Sequence, residues 1–484
     1  MSLFEVIGNG ELGGKGEWTR KAIEAGLKFP DTFVISTEVF DSAKFIWEDE
    51  ELLDGDSGLG NKFDSELERV LRYFADKPVA IRSSVTVEDG YAATCAGMFP
   101  TKFTRFRQYP ETLDGFKRQL FWEFFCSIFG EDQKAYMEKH NLQQPKVAVE
   151  VQKLVGSYVK PMPPRFPEGG MAPRLAGYFN TMYPAKHILG IVRGMGTGAV
   201  GRIKSPTFHF SPQGDLIEFM DKQSSFDFFC YWTKVLKSME MDSGNPVLVA
   251  MNRASGLDLT INHNYAESIF KALGAVEGHL RQRFDFGSEF GSDIEWAVEN
   301  NIDEITYLQF RPVKRRKGSL TFPDVPSLIQ PYSMVGMGRK DITKVVDMSE
   351  NRYVHGLSGY EKLRQFNENN KGYLLIAPRG TFYTGTMVGS CTEIPYSAFY
   401  NAGLILCPEK EGFFGSGADH FALICNDDDI FYIDCCFKGE NPLKLKGDIQ
   451  IDDENLFVYE RELTAIVNAN LGKATLFENP GFKI

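Results

Sequence analysis

Residues 293–312 read DIEWAVENNIDEITYLQFRP and carry two polar pairs within apolar runs. Asp293 and Glu295 are two residues apart, as are Gln309 and Arg311 after a segment rich in Asn and Asp. Side chains two residues apart on a strand project from one face, and Asn and Asp favour turns. The pattern therefore predicts a hairpin that gathers two carboxylates, an amide and a guanidinium. The alternative is the solvated face of a surface hairpin.

The length of the chain, 484 residues, exceeds what one hydrophobic core usually organises and predicts two or three domains. An apolar fraction of 43% and a charged fraction of 24% indicate a globular protein. No apolar run is long enough to cross a bilayer, and the start, MSLFEVIGNGELGGKG, does not resemble a secretion signal. We therefore expect a cytoplasmic protein with no membrane partner.

The formal net charge of −12 argues against a nucleic-acid partner, because an acidic surface repels the phosphate backbone. The one dense basic cluster, KRRK at 314–317, is interpreted as a solvated junction. The eight cysteines show no C-x-x-C spacing, so reduced thiols are expected rather than a zinc or redox site.

Strands alternate with helices along the chain, which predicts an α/β (α+β) protein. We expect an N-terminal domain over 1–313 with two subdomains that meet near 200, a linker over 314–349, and a smaller α/β domain over 350–484. The linker is inferred from scattered Pro and basic residues with little periodicity. Strands are predicted at LFEVIG, TFVIS, PVAIRSS, KVAVEVQKLV, LAGYFNTMY, HILGIVR, YLLIAP, AGLILCP, HFALIC and IFYIDC, and helices at GEWTRKAIEAGLKF, 63–75 and 264–284.

The glycine-rich start, VIGNGELGGKG, contains G-x-G-x-x-G at Gly8, Gly10 and Gly13. That motif leaves an NAD-dependent dehydrogenase as one alternative, although no acidic residue follows a second strand at the usual interval. A glycine-rich turn with Lys15 opening a helix would also bring backbone N–H groups and an ammonium to a phosphate. A flexible turn with a solvated lysine is the structural alternative.

The segment AIRSSVTVEDGYAATCAGMFPTKF places Arg82 at the end of a predicted buried strand. A guanidinium on a rigid element suits polyphosphate binding. Gly97 and Thr101 would let the following loop close over a ligand. The alternative is a structural arginine paired with Glu88 or Asp89.

Several segments in a fixed order carry a resemblance to a known family: GGKG, RSS-x-x-x-ED, AG-x-x-x-T, VQK-x-V, a G-x-G turn, DIEWA and LQ-x-RP. Over about residues 5–313 the chain resembles the nucleotide-binding domain of phosphoenolpyruvate synthase and pyruvate phosphate dikinase, also found in rifampicin phosphotransferase. The resemblance implies an ATP-grasp fold that binds ATP and Mg²⁺. It differs from the usual pattern at Met98, where the family has glutamine, and at Thr197, where the family has an acid.

The resemblance also implies roles for individual residues. Lys15 and Arg82 would hold the ATP phosphates, and Arg311 would contact the phosphates and take part in catalysis. The remaining implied residues are Gly97 and Thr101 in the covering loop, Gln152 beside the adenine, Glu295 and Gln309 toward the ribose, phosphates or Mg²⁺, and Asp293 as a further metal ligand.

In the C-terminal part, FFGSGADHFALIC resembles the phosphohistidine segment of the family and, more closely, a GSHFF segment of large synthase-like proteins. His420 would then be the phosphate carrier. The leading hypothesis is an ATP-dependent phosphotransferase that passes phosphoryl to His420, or directly to an unknown small-molecule acceptor, with AMP and phosphate as products. The alternatives are a catalytically degenerate ATP-binding regulatory or assembly protein, acting with a partner protein or as a homo-oligomer, and the dehydrogenase.

Overall fold

The fold is described from a computed structural model. The chain divides into two compact units: Met1–Asn180 with Ile188–Val313, and Thr181–His187 with Lys314–Ile484. The structure describes residues 2–41, 59, 61–75, 77–90, 93–104, 112–155, 157–158, 171–172, 175–193, 207–220, 263–298, 304–315, 320–348, 357–377, 395–408, 420–438, 442–443 and 457–479.

The first lobe of the first unit is built on a five-stranded sheet with the order β1-β2-β5-β3-β4. Strands β1 and β2 are parallel, whereas β5 runs antiparallel to both β2 and β3. A dinucleotide-binding fold needs a parallel sheet, so the dehydrogenase alternative is wrong. The strands are β1 (Phe4–Ile7), β2 (Thr32–Ile35), β3 (Val79–Ser83), β4 (Thr101–Thr104) and β5 (Val149–Lys153).

Helices of this lobe follow the apolar periodicity of the sequence. In α3 the buried residues Leu67 and Val70 are three apart, as an amphipathic helix requires. The phenylalanine-rich run buries Phe121, Phe124 and Phe125 in a π-helical turn. The helices are α1 (Gly13–Glu24), α2 (Thr37–Asp41), α3 (Asp64–Tyr73), α4 (Leu113–Gln119) and α5 (Glu131–Lys139), with a π-helix at Leu120–Phe125 and 3₁₀ turns at Asn61–Phe63 and Cys126–Phe129.

The second lobe has a six-stranded sheet with the order β11-β10-β9-β8-β12-β13. The predicted hairpin is confirmed, since its strands β12 and β13 are neighbours at one edge. The subdomain boundary predicted near 200 and the glycine turn with Thr197 lie outside the described residues. The elements are β8 (Leu175–Tyr183), β9 (Lys186–Arg193), β10 (Thr207–Phe210), β11 (Leu216–Met220), α6 (His263–Phe284), β12 (Phe290–Val298) and β13 (Ile305–Lys314), after a short pair of β6 (Ser157–Tyr158) and β7 (Met171–Ala172).

Helix α1 joins the two lobes through one hydrophobic core. Its Trp18 ring lies 5.4 Å from the ring of Phe286 and 5.3 Å from that of Phe310, both edge-on. The same core contains residues of β8, β9, β12 and α6. Because aromatic packing of this kind is specific in geometry, α1 fixes the first lobe against the hairpin.

The second unit contains a seven-stranded sheet with the order β14-β18-β17-β16-β15-β19-β20, in which β15 to β18 are parallel. The mixed α/β class predicted for the chain is confirmed, and the two lobes of the first unit form an ATP-grasp-like arrangement. The elements are β14 (Ile329–Val335), β15 (Met337–Asp347), α7 (Leu357–Asn369), β16 (Leu374–Ile376), β17 (Leu404–Pro408), α8 (His420–Asp427), β18 (Phe431–Phe437), β19 (Phe457–Asn468) and β20 (Lys473–Glu478), with a 3₁₀ turn at Tyr396–Ala398.

Two sequence predictions in this unit are wrong. The predicted linker 314–349 instead supplies β14 and β15, whose chain reversal uses Gly336 at φ +109°. Charged residues in the first half of β15 had obscured the alternation of apolar and polar residues along this strand. HFALIC, predicted as a strand, forms the start of α8, because a short apolar run suits a buried helix and a buried strand equally.

No helix in the described part of the chain is long and apolar enough to cross a membrane.

Candidate functional site

The site is centred on the hairpin of β12 and β13. Ile294 and Phe310 enter the core, and the alternating residues project to the opposite side. On that side Asp293 is 2% exposed, Gln309 3% and Arg311 2%. The side chain of Glu295 is 14% exposed. The two polar pairs therefore lie in a largely buried cluster, and the solvated-hairpin alternative is wrong.

Arg82 connects the first lobe to the hairpin. From β3, its Nη1 donates to the backbone oxygen of Leu308 at 2.8 Å and to Gln152 Oε1 at 3.5 Å. Its Nη2 donates to Gln309 Oε1 and, at 3.5 Å, to Glu295 Oε2. One guanidinium thus contacts strands of both sheets, which is the bridging role for which its planar fork is suited.

Arg311 is held by carboxylates on two sides. Its Nε and Nη2 donate to Asp293 Oδ2 at 2.9 and 2.7 Å, and its Nη1 donates to Asp89 Oδ1 at 3.5 Å. Asp293 Oδ1 also accepts from Asn180 at 3.0 Å. Burial alone would lower the pKa of Arg311, but Asp293, Asp89 and Glu295 outweigh that effect and raise it. Arg311 therefore stays a cation inside the protein.

Lys15 lies in the first turn of α1, in the first lobe. Its ammonium forms an ion pair with Glu88 and donates to Ser83 Oγ at 3.5 Å. Gly13 has φ +70°, and a Cβ there would lie 1.5 Å from the backbone oxygen of Ser84. At Gly14 a Cβ would lie 1.7 Å from the oxygen of Glu88. These two glycines are thus required for close packing of α1 against the loop after β3.

The partners of the cations differ from those expected from sequence. Arg82 was expected, in the structural alternative, to pair with Glu88 or Asp89. Instead Glu88 pairs with Lys15, and Asp89 contacts Arg311. The two acids of the loop after β3 therefore contact Lys15 and Arg311 instead of Arg82.

Burial raises the pKa of three acids in this cluster. It raises the pKa of Glu295, which Arg82 and Arg311 only partly oppose. It also raises the pKa of Glu150 against the effect of Arg82, and that of Glu88 against the effect of Lys15. Three cations face five carboxylates, so the fully ionised cluster would carry a net charge of −2. The cations are Lys15, Arg82 and Arg311, and the acids are Glu88, Asp89, Glu150, Asp293 and Glu295.

Two buried polar atoms of β5 point to a ligand. Among the described residues, Gln152 Nε2 and Glu150 Oε2 have no hydrogen-bond partner, although the latter lies 3.9 Å from Arg82 Nη1. Buried polar groups are nearly always satisfied, and an unsatisfied one costs free energy. A donor and an acceptor left open beside Arg82 fit a polar ligand such as a nucleotide.

Gly97 precedes β4, and Thr101 is the first residue of that strand. Thr101 is paired with Arg82 in the register of β3 and β4. Gly97 is exposed and has φ +72°, a conformation that favours glycine. Their covering role stays a prediction.

His420 lies in the second unit, as the first residue of α8. Its side chain lies outside the described residues, and so does most of the surrounding FFGSGADH segment. Its role as phosphate carrier stays a prediction.

Sequence reasoning missed Glu150, and it named Asp89 as a partner of Arg82 rather than of Arg311. The signal for Glu150 was its position two residues before Gln152 in KVAVEVQKLV, which puts both on one face. Glu150 also accepts from Thr19 Oγ1 of α1 at 2.8 Å. No local pattern could have shown which acid would meet which cation.

The fold and the cluster define a class: a two-lobed α/β protein that gathers arginines, acids and an amide where its lobes meet. The sequence model of the pyruvate phosphate dikinase AMP/ATP-binding domain matches residues 56–321, more than half of the chain. The chain belongs to this family. The matched range includes Arg82 and the hairpin but begins after Lys15. No curated protein matches the chain.

Proposed function

We propose that the protein is an ATP-dependent phosphotransferase of the phosphoenolpyruvate synthase and pyruvate phosphate dikinase type. The observation that carries this proposal is the meeting of Arg82 and Arg311 at the hairpin, within a domain of the AMP/ATP-binding family. Phosphoryl transfer requires preorganised positive charge, and both guanidinium groups are fixed by acids on rigid strands.

Mg²⁺ fits the donor set of this site. Glu295 and Gln309 present carboxylate and amide oxygens toward Arg82, and hard oxygen ligands are what Mg²⁺ prefers. No three His, Cys, Asp or Glu side chains in the described ranges are grouped to hold a metal by themselves. This suits Mg²⁺, which usually combines one or two protein carboxylates with substrate phosphates. Bound Mg²⁺ would offset phosphate charge.

The chain's own residues then take distinct roles. Lys15, Arg82 and Arg311 would contact the phosphates, and each would exchange part of its contact with a protein acid for contact with the nucleotide. Gln152 would use its open Nε2 on the adenine side. Asp293, already engaged by Arg311 and Asn180, would act mainly by orienting Arg311, with metal binding as its second proposed role.

Calorimetric titration with ATP and Mg²⁺ tests nucleotide binding. We expect binding by the wild-type protein and at least about tenfold weaker binding by Arg82→Met, since a charge-assisted contact to a phosphate is lost. Arg69→Met, which removes an exposed pair with Glu5, is the matched control and should bind normally. Equal affinity in Arg82→Met and wild type would exclude the site.

The destination of the phosphoryl group is tested separately. ATP that carries radiolabel in both its β- and γ-phosphates should label the protein if His420 is the carrier. One phosphoryl group would then move to His420, the other would be transferred to water and leave as phosphate, and AMP would remain. His420→Ala should abolish the label on the protein. Unlabelled protein with ADP as the only product would exclude the carrier. Direct transfer to a small-molecule acceptor would then be the form of the proposal that survives.

A second candidate, a degenerate ATP-binding regulatory or assembly protein, has one observation in its favour. Every cation of the site is already paired with an internal acid. That protein would bind Mg-ATP but form neither AMP nor ADP with any acceptor offered.

A further inference from the structure

Asp89 occupies an unusual place in the loop after β3. It is 2% exposed, and its φ of +51° is uncommon for a residue other than glycine. Its N–H donates to the oxygen of Thr94 at 3.1 Å, and its own oxygen accepts from Trp18 Nε1 at 2.9 Å. Two hydrogen bonds therefore hold the backbone of Asp89 in a conformation that residues other than glycine seldom adopt.

The carboxylate of Asp89 reaches from the first lobe to two side chains of β13. Its Oδ2 accepts from Gln309 Nε2 at 2.9 Å, and its Oδ1 accepts from Arg311 Nη1 at 3.5 Å. Gln309 Oε1 in turn accepts from Arg82 Nη2. A continuous chain of contacts thus runs from Arg311 through Asp89 and Gln309 to Arg82.

These contacts determine how the amide of Gln309 is oriented. An ionised carboxylate only accepts hydrogen bonds and a guanidinium only donates them. With Asp89 on one side and Arg82 on the other, the amide can satisfy both neighbours only when Nε2 faces Asp89 and Oε1 faces Arg82. A reversed amide would set oxygen against carboxylate and N–H against guanidinium.

We propose that Asp89 is a positioning residue that orients the Gln309 amide, so that Gln309 Oε1 is presented to the Mg-ATP site beside Arg82. The inference rests on the proposed function, since it assigns Asp89 a role in the site that Gln309 and Arg82 form. Asp89 acts through Gln309 and does not itself contact the nucleotide.

An exchange of acid and amide tests this role. Asp89→Asn loses the pure acceptor and should weaken Mg-ATP binding about tenfold or more, as is typical when the partner of a ligand residue is removed. Gln309→Glu sets two carboxylates together and should also weaken it. In the double variant D89N/Q309E, the amide introduced at position 89 can donate to the carboxylate at position 309. A carboxylate has no N–H group, so either of its oxygens can also accept from Arg82. The double variant should recover to within about threefold of wild type, because the formal charge of the pair is unchanged.

The control is Asp64→Asn, which removes a carboxylate 3.0 Å from the buried ammonium of Lys117, outside this cluster. It should lower the melting temperature and leave Mg-ATP affinity unchanged. A merely structural Asp89 would make affinity follow melting temperature in all variants, without recovery in the double variant.

Titration calorimetry and thermal melting of the full chain give the outcome. If wild type binds Mg-ATP and Asp89→Asn binds equally well, or if the double variant binds no better than the weaker single variant, the inference on Asp89 is wrong and the proposed function stands. If wild type fails to bind Mg-ATP, both are wrong. Should Asp89→Asn not fold, the comparison of Gln309→Glu with the double variant still decides, because recovery requires the contact between positions 89 and 309.

Discussion

At the scale of single residues, the site depends on cations that acids hold inside the protein. Arg311 contacts Asp293 and Asp89, and Arg82 contacts Glu295 and Gln309. A buried pair of this kind adds little net stability over an apolar pair, but removal of one partner leaves an uncompensated charge. Substitutions in the cluster should therefore lower stability as well as weaken ligand binding.

Arg311→Met should lower the free energy of unfolding by about 3–5 kcal/mol, because Asp293 and Asp89 lose their cation. Chemical denaturation measures this change. Arg20→Met, which removes exposed pairs with Glu17 and Glu24, should cost less than about 1 kcal/mol. Equal costs for the two variants would contradict the buried network.

Glu150→Gln should change how stability depends on pH. Burial raises the pKa of Glu150 in the folded state, so between its ordinary and raised values the folded chain binds more protons than the unfolded chain. Unfolding free energy then falls as pH rises through that range. Gln keeps an oxygen for Thr19 and cannot ionise. The variant should therefore lack this decrease in the free energy of unfolding, and it should become more stable relative to wild type as pH rises.

Denaturation series from pH 4 to pH 8 measure the effect. Glu24→Gln, which removes an exposed carboxylate of α1 outside the cluster, is the control. A constant difference between Glu150→Gln and wild type over this range would contradict the raised pKa.

At the scale of elements, the glycines at the start of α1 allow this helix to pack closely against the loop after β3. Gly13 and Gly14 let α1 contact the backbone of residues 84–88, and that loop carries the acids for Lys15 and Arg311. Trp18, on the same helix, donates to Asp89 and packs against Phe310 of β13. Helix α1 thus positions the loop and the hairpin at once.

Gly13→Ala should be much more destabilising than Gly26→Ala. Both glycines have positive φ, which alone costs about 1–2 kcal/mol for alanine. Of these two positions, only at 13 would the Cβ meet backbone, whereas no atom of the described residues lies within 4 Å of a Cβ at position 26. We expect a loss beyond about 3 kcal/mol and weakened Mg-ATP binding for Gly13→Ala, measured by denaturation and titration. Similar behaviour of the two variants would contradict the packing role.

At the scale of the whole molecule, the division of the chain into two compact units predicts separate thermal transitions. A ligand stabilises only the unit that binds it, by about 2.7 kcal/mol at one hundred times its dissociation constant. Mg-ATP should therefore raise one calorimetric transition and leave the other in place, and Arg311→Met should lower the same transition. A uniform shift of all unfolding on addition of Mg-ATP would contradict a site confined to the first unit.

The sequence by itself determined the elements that have strong periodicity and the residues that alternate on them. It identified the hairpin with Asp293, Glu295, Gln309 and Arg311 on one face, because side-chain direction on a strand is a local property. It failed at β15, where exposed charges obscured the alternation, and at α8, where a short apolar run suits either structure.

Only the tertiary structure decided which acid meets which cation. Glu88 pairs with Lys15, and Asp89 reaches Gln309 and Arg311 more than 200 positions away. It likewise showed that Gly13 and Gly14 are needed for backbone contact. The physical reason is that charge pairing and close packing depend on distances between segments remote in the chain, which local patterns do not encode.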